Sequence, residues 1–461
     1  KWPLAMDLVK RQCDALFTGH FMETVTEAFN VAPTARLGAF GVTGYLTTDP
    51  ENLKTVLTTR FKDYSLGIRR DAVMPLLGEG IFGQDGPAWQ RSRSIIQQQF
   101  IRVQRQTLKV FVPHVNKLIS GMSDASRASE NGVIDLRPFF FDYTLDNTAA
   151  LLFGEPQSSM PTKERNALTE NFDFASMGVS IRLRLAGLAP LYRSRKFAES
   201  CKVVKEWASF FSKKALAYMD EVGEEKAAAK YPFIVDLWKE MGDADLVRDQ
   251  LLHILLAGRD STASLLCWTL FHLLRNPAIL DKLRNEISHL DKEEILSREQ
   301  IQKLPFLRCC LNETLRLYPT LTLNVRFANK NTILPRGGGS DGQAPVLLLK
   351  GTGIGWSAYH LHRLESIYGA DAKVYRPDRW ADGELMRKNL GSGFIDFNAG
   401  PRTCLGKDFA LMEASYAVIR ILQSFPNIHL PPGTHIEPAG AERQLYGIIV
   451  TPMDEVGAVL Q

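Results

Sequence analysis

The residue with the most distinctive surroundings is Cys404, in the run Phe397-Asn-Ala-Gly400-Pro-Arg402-Thr-Cys404-Leu-Gly406. Turn-forming residues there deliver one thiol to the start of an amphipathic segment, Gly406 to Phe425, that Pro426 stops. Backbone N–H groups at a helix start carry partial positive charge and favour thiolate over thiol. Gly400 and Gly406 let the backbone pass close to a flat ligand, and Arg402 offers charge to an acidic group on it. A buried structural cysteine in a glycine-rich turn is the plain alternative.

Three further sets could do chemistry. Glu313 and Arg316, in LNETLRLYP, stand at i, i+3 and can pair on one helical face. The spacing alone is weak, because Glu384 and Arg387 share it with no evident role. Context separates them: the first pair lies in a largely apolar helix, and Pro377-Asp-Arg379-Trp380 supplies a second guanidinium. The second set is Gly258-Arg-Asp260-Ser261-Thr262, in the middle of an apolar segment, where each unsatisfied polar group costs on the order of 1–3 kcal/mol. A kinked or capped helix without chemistry is its alternative. The third is Trp89 and Arg93 at i, i+4, which also suits a surface cation–π pair.

These residues need elements to hold them. Apolar residues at spacings of three and four predict helices within 85–125, 196–222, 246–275, 277–290, 299–317 and 405–424. Leu246 to Leu274 is apolar on nearly every face and predicts a buried central helix of roughly 27 residues, about 40 Å long. Strand-like alternation is confined to 31–58, 321–334, 345–350 and 445–452, so the class is mainly α, one domain over 1–461 with a small β-rich region. Gly353-Ile-Gly355-Trp-Ser-Ala358, with Asp371 beyond it, outlines a dinucleotide fingerprint, but no adequate helix follows. GxSxG, HExxH and P-loop patterns are absent.

Composition narrows the class. Among 461 residues, 45% are hydrophobic and 23% charged, the balance of a globular chain with a substantial core. Fifty-five basic against 51 acidic residues leave +4, too little to argue for nucleic acid. Six cysteines, without zinc-like spacing, suit a reducing compartment. No run of 18 apolar residues is present, so the chain as given does not span a membrane.

The motif set resembles the cytochromes P450: FxxGxRxCxG at Phe397–Gly406, ExxR with PxRx at Glu313, Arg316 and Arg379, AGx(D/E)T(T/S) at 257–262, and WxxxR at Trp89 and Arg93. That resemblance implies a cytochrome P450 fold carrying heme b (iron protoporphyrin IX) with Cys404 as its axial thiolate. It further implies a structural Glu313–Arg316–Arg379 triad, and a propionate clamp from Trp89, Arg93 and Arg402 with Arg326 as a further donor. Asp260 with Ser261, or Thr262, would relay protons to the distal oxygen, with Gly258 leaving room beside the iron. Ser261 departs from the usual Thr and lacks the methyl that restrains the rotamer. GEGIFGQDGPAWQRSR, AGRDSTA, LPRGGGSDG, IYGADAKVYRPDRW and FNAGPRTCLGKDFALMEASY look like the fungal microsomal alkane and fatty-acid hydroxylase group.

The narrower likeness implies a monooxygenase using O2 and electrons from NADPH-cytochrome P450 reductase, on the cytosolic face of the endoplasmic reticulum membrane. Lys1-Trp-Pro-Leu4 resembles the stretch following that group's anchor. A lipophilic pocket is expected from Leu66, Ile68, Val73, Met74, Leu77 and Phe82, from Phe172, Phe174 and Met177, and from Ala257, Leu321, Leu323 and Ile448. Arg182 and Arg184 would snorkel toward headgroups or anchor a substrate carboxylate. Rival readings are a secondary-metabolism member acting on a terpenoid or polyketide, an isomerase or dehydratase needing no external O2, and a nicotinamide dehydrogenase without haem.

Overall fold

The computed structural model describes residues 6–39, 42–104 and 108–460; Lys1 to Leu4 lie outside them. Its axis is the central helix Ala244–Arg275, 32 residues and about 48 Å long. The Asp243 carboxylate caps it, accepting from the amides of Asp245 at 2.9 Å and Leu246 at 3.1 Å. Between Asp249 and Leu270 every position is buried except Ala257, Gly258 and Ser261, which share one face. Ala257 and Ser261 thus keep a partly accessible edge in the middle of an otherwise buried helix.

The predicted helices are present with shifted ends. The 85–125 stretch forms Gly86–Gln104 and Val112–Ala128, and 299–317 splits at Pro305, which starts the helix Pro305–Leu317. Helices Arg137–Phe153 and Thr162–Leu185 carry no clear periodicity: the former is buried on most faces, so it shows no amphipathic stripe. Part of the strand-like 31–58 stretch is helical, from Pro50 to Lys54, and continues as one π turn, Thr55–Thr59.

The main sheet contains β1 (Thr34–Ala39), β2 (Val42–Thr47), β3 (Tyr64–Ser65), β4 (Leu323–Ala328) and β5 (Gly353–Ser357), in the order β1-β2-β5-β4-β3. Strand β5 holds the glycines of the apparent dinucleotide fingerprint, and the helix after it, Ala358–Leu361, has four residues. That is too short to present an N-terminus to a pyrophosphate. Residues 444–446 and 450–452 pair as a small antiparallel hairpin.

Beside the central helix, the Glu313 carboxylate is fully buried and collects five donors. Arg316 donates through Nε at 2.9 Å and Nη2 at 2.8 Å, Arg379 through Nε at 2.9 Å, Trp380 through Nε1 at 2.9 Å, and the Arg376 amide at 2.8 Å. Arg316 passes the connection on: its Nη1 donates to His362 O at 2.8 Å, and its own carbonyl accepts from His362 Nδ1 at 3.2 Å. Burial pushes the His362 pKa down to about 3, so the neutral ring accepts through Nε2 from the Ile395 amide at 3.0 Å. Two residues on, Phe397 O accepts from the Cys404 amide at 2.9 Å. By contrast, Glu384 and Arg387 pair at 3.3 Å on the exposed surface.

Glu313→Ala would strand two buried guanidiniums and lower stability by about 3–5 kcal/mol. Glu384→Ala should change it by less than about 0.5 kcal/mol. Denaturant unfolding of the two variants checks this, and similar losses would refute the network's role.

Candidate active site

Cys404 leaves the turn Gly400–Arg402 just before the helix Lys407–Ser424. The loop is tied internally: Thr403 Oγ1 donates to Gly400 O at 2.7 Å, and Asn398, with φ of 62°, donates through Nδ2 to Arg402 O at 3.3 Å. Burial pushes the Cys404 thiol pKa up, while the Gly406 N–H, Arg93 and Lys407 pull it back. Yet the residue is accessible to solvent. Deep surroundings and accessibility coexist when the sulfur faces an internal cavity. Phe397 packs on the core with the Lys407 ammonium 5.0 Å from its ring centre.

The glycines are constrained by protein packing to different degrees. A Cβ on Gly400, whose φ is +63°, would lie 1.9 Å from Leu57 O, so protein backbone, not a ligand, excludes a side chain there. A Cβ on Gly258 would meet Thr148 Oγ1 at 2.6 Å; the glycine lets the central helix approach Arg137–Phe153. At Gly406 a Cβ would be 3.6 Å from Phe100 and 3.9 Å from Cys404 Sγ, ordinary contact.

Four guanidiniums gather near the cysteine loop. Trp89 is buried between Arg93, 5.7 Å from its ring centre, and Arg402, at 4.4 Å, which makes it no surface pair. Arg402 donates to Asp85 Oδ1 at 2.7 Å and Gln84 O at 2.8 Å. Arg326 donates to Val325 O at 2.8 Å and Asn324 Oδ1 at 3.2 Å. Arg69, which no spacing rule singled out, shares Asn324 Oδ1 at 3.3 Å and keeps a buried Nε without a partner. Burial and mutual repulsion push Arg326 down to about 9, and burial with repulsion from Arg69 and Arg93 pushes Arg402 down to about 10. Among the described residues Asp85 is the carboxylate that offsets Arg69, Arg326 and Arg402, while Arg93 acts on Cys404. Buried like charges with one counter-ion call for further anions. A thiol on an internal cavity beside surplus guanidiniums fits a haem, whose two carboxylate arms supply those anions.

Along the central helix, Ser261 lies on the accessible face and its Oγ donates to Ala257 O at 2.6 Å. Asp260 is buried and accepts from Arg259 Nη1 at 2.9 Å. Burial pushes its pKa up to about 6 against the pull of Arg259. Thr262 sits on another face, buried near Glu413 without hydrogen-bond geometry to it. Glu413 accepts from Asn147 Nδ2 at 2.8 Å, and burial pushes its pKa up to about 8. Its Oε2, Thr262 Oγ1, Thr148 Oγ1 and Asn147 Oδ1 all lack protein partners, marking a pocket able to hold water. Sequence periodicity gave no sign of Glu413 because its side-chain partner, Asn147, comes from a helix distant in sequence.

The expected lining residues divide. Phe82, Ala257, Leu321 and Ile448 are half-buried and apolar, whereas Val73, Leu77 and Phe172 are fully buried core. Leu66 is also fully buried, Ile68 and Met74 half-buried, and Leu323 packs into the cluster around Phe21 and Tyr359. Phe174 is half-buried against the core with the Lys196 ammonium on its ring, whereas Met177 is exposed and faces outward. Arg182 and Arg184 are both tied to protein acceptors, although Arg184 keeps a buried Nε without a partner. Arg182 donates to Asp71 O at 2.8 Å and Ala189 O at 2.9 Å, while Arg184 donates to Ser180 Oγ at 2.7 Å and stacks on Tyr446.

Because its folded pKa lies above the unfolded value, Glu413 favours the fold in its protonated form, and stability is lost as pH rises from about 5 to about 8. Glu413→Gln carries no such slope. Its melting temperature should exceed the parent's by a margin that widens over that range; a constant margin would contradict the assignment.

A family profile described as cytochrome P450 matches residues 18–452. Cytochrome P450 52A5 of Candida maltosa is 39% identical over 424 residues, 88% of this chain and 79% of the relative. Cytochrome P450 52A10 of the same yeast is 39% identical over 444 residues, 91% and 84% of the two chains. Cytochrome P450 52A1 of Candida tropicalis is 37% identical over 447 residues, 91% and 81%. The buried Glu313 network, the cysteine loop and these matches lead to one conclusion: the chain belongs to the cytochrome P450 family of haem monooxygenases.

Proposed function

We propose that Cys404 would ligate the iron of haem b through its thiolate, and that Trp89, Arg93, Arg326 and Arg402, with Arg69, would hold its propionates. The observation that carries this is an accessible thiol in enclosed surroundings, with Arg93 acting on it and three further guanidiniums nearby sharing the one carboxylate Asp85. Haem, when bound, supplies activation of O2 for insertion of one oxygen atom into a C–H bond. The residues around it position the substrate and move protons. Gly406 N–H and Arg93 favour the ionised sulfur. Asp260, with a pKa near 6, can hold or release a proton near neutral pH, and Ser261 presents a hydroxyl on the cavity face. Thr262 is assigned to the Glu413 pocket instead of this relay.

The proposed substrate is a fatty acid or alkane, hydroxylated at a C–H bond. Half-buried apolar Phe82, Ala257, Leu321 and Ile448, and the motif likeness to the fungal hydroxylase group, support it. Electrons would come from NADPH-cytochrome P450 reductase at the cytosolic face of the endoplasmic reticulum. Among the described residues no helix is long and apolar enough to cross a membrane, but Phe17, Val31 and Leu191 are exposed and suit contact with a lipid surface.

Cys404→Ser should retain the fold and lose the reduced-CO absorption band of thiolate ligation; an unchanged band rejects the ligand. Asp260→Asn should slow turnover at least about tenfold while substrate-induced spectral shifts persist; normal turnover rejects the relay. Incubation of enzyme and reductase with fatty acids, alkanes and terpenoids tests the substrate, and product from terpenoids alone would overturn the lipid assignment.

A further inference from the structure

Arg259 occupies the middle of the central helix with 3% of its side chain exposed. Its guanidinium lies between the rings of Phe141, at 5.0 Å, and Phe172, at 5.2 Å, and its Nε has no partner. One nitrogen, Nη1, serves two carboxylates: Asp260 Oδ1 at 2.9 Å and, from the helix Thr162–Leu185, Asp173 Oδ1 at 2.6 Å. Side-chain exposure runs 10% at Asp260, 3% at Arg259 and 56% at Asp173, so the buried acid connects to the surface through a shared guanidinium. The other charged group facing Arg259 is Asp142, from the helix Arg137–Phe153, itself near Lys117 and Arg165.

We propose that Asp173 is a positioning residue for Asp260, drawing on the same Arg259 nitrogen and so limiting how firmly the guanidinium holds the buried acid. A neutral isostere at 173 would keep the packing and one hydrogen bond but remove the competing charge. Arg259 would then act on Asp260 undivided, and repulsion between the two carboxylates would vanish. Both changes favour ionised Asp260, in accord with the directions in which Arg259 and Asp173 now act on it. The influence on Asp260 needs only this geometry; its consequence for turnover rests on the proton role proposed above.

The test uses the haem-bound full chain and two variants, Asp173→Asn and Asp173→Glu. Infrared titration would follow the buried carboxylic acid band, assigned by its loss in Asp260→Asn. Asp173→Asn should lower the apparent pKa of that band by about one unit, and Asp173→Glu should restore it. A band that does not move, or moves upward, overturns the proposal. The alkaline limb of the turnover profile at saturating substrate should shift acidward by the same amount. If the band moves and the limb does not, Asp173 retains its positioning role and the proton role of Asp260 fails.

Discussion

A carboxyl group removed from water is costly unless donors meet it on every side, and Glu313 is met by five. These come from its own helix and from the 376–380 segment, so the helix and the irregular chain after β5 cannot separate without stranding charge. Arg316 carries the constraint to His362, the neutral ring carries it to the Ile395 amide, and the backbone carries it from Phe397 to Cys404. The position of one sulfur thus depends on a carboxylate far away in sequence, through rigid groups with few free torsions.

The other side of the site is built on imbalance. Arg69, Arg326 and Arg402 share one carboxylate, Asp85, while Arg93 lies against Cys404, and burial together with repulsion lowers the pKa of Arg326 and Arg402 well below the ordinary arginine range. The protein retains that unfavourable arrangement by tying the guanidiniums to backbone carbonyls, Trp rings and Asn324. Such a cluster is preorganised for an anionic ligand, because the fold has already met the cost of gathering the charges.

Close packing of helices explains features that ligand chemistry alone would misassign. Gly258 is small because Thr148 presses on it, and Gly400 combines a positive φ with Leu57 O standing where a side chain would be. The same approach of helices brings Asn147, Thr262 and Glu413 together around unpaired polar atoms. Arg259 and Asp173 meet across another helix contact and give the central acid an edge to solvent.

Cys404, Glu313, Arg316, Arg379, Asp260, Ser261, Trp89 and Arg93 were legible as candidates because each lies in a short motif whose spacing is local, and the central helix was legible from its uniform apolarity. Periodicity also separated mainly helical chain from the small β region. Arg69, Glu413 and Asp173 were not legible, since no neighbour in sequence explains them and their partners lie on other elements. The outward turn of Met177, and the carbonyl partners of Arg182, likewise depended on how the helix Thr162–Leu185 rotates against its neighbours. Sequence alone determines which residue types stand one helical turn apart. Which charges become buried together, and which face a cavity, is decided by packing between distant segments, because desolvation and Coulomb interaction depend on distance through space.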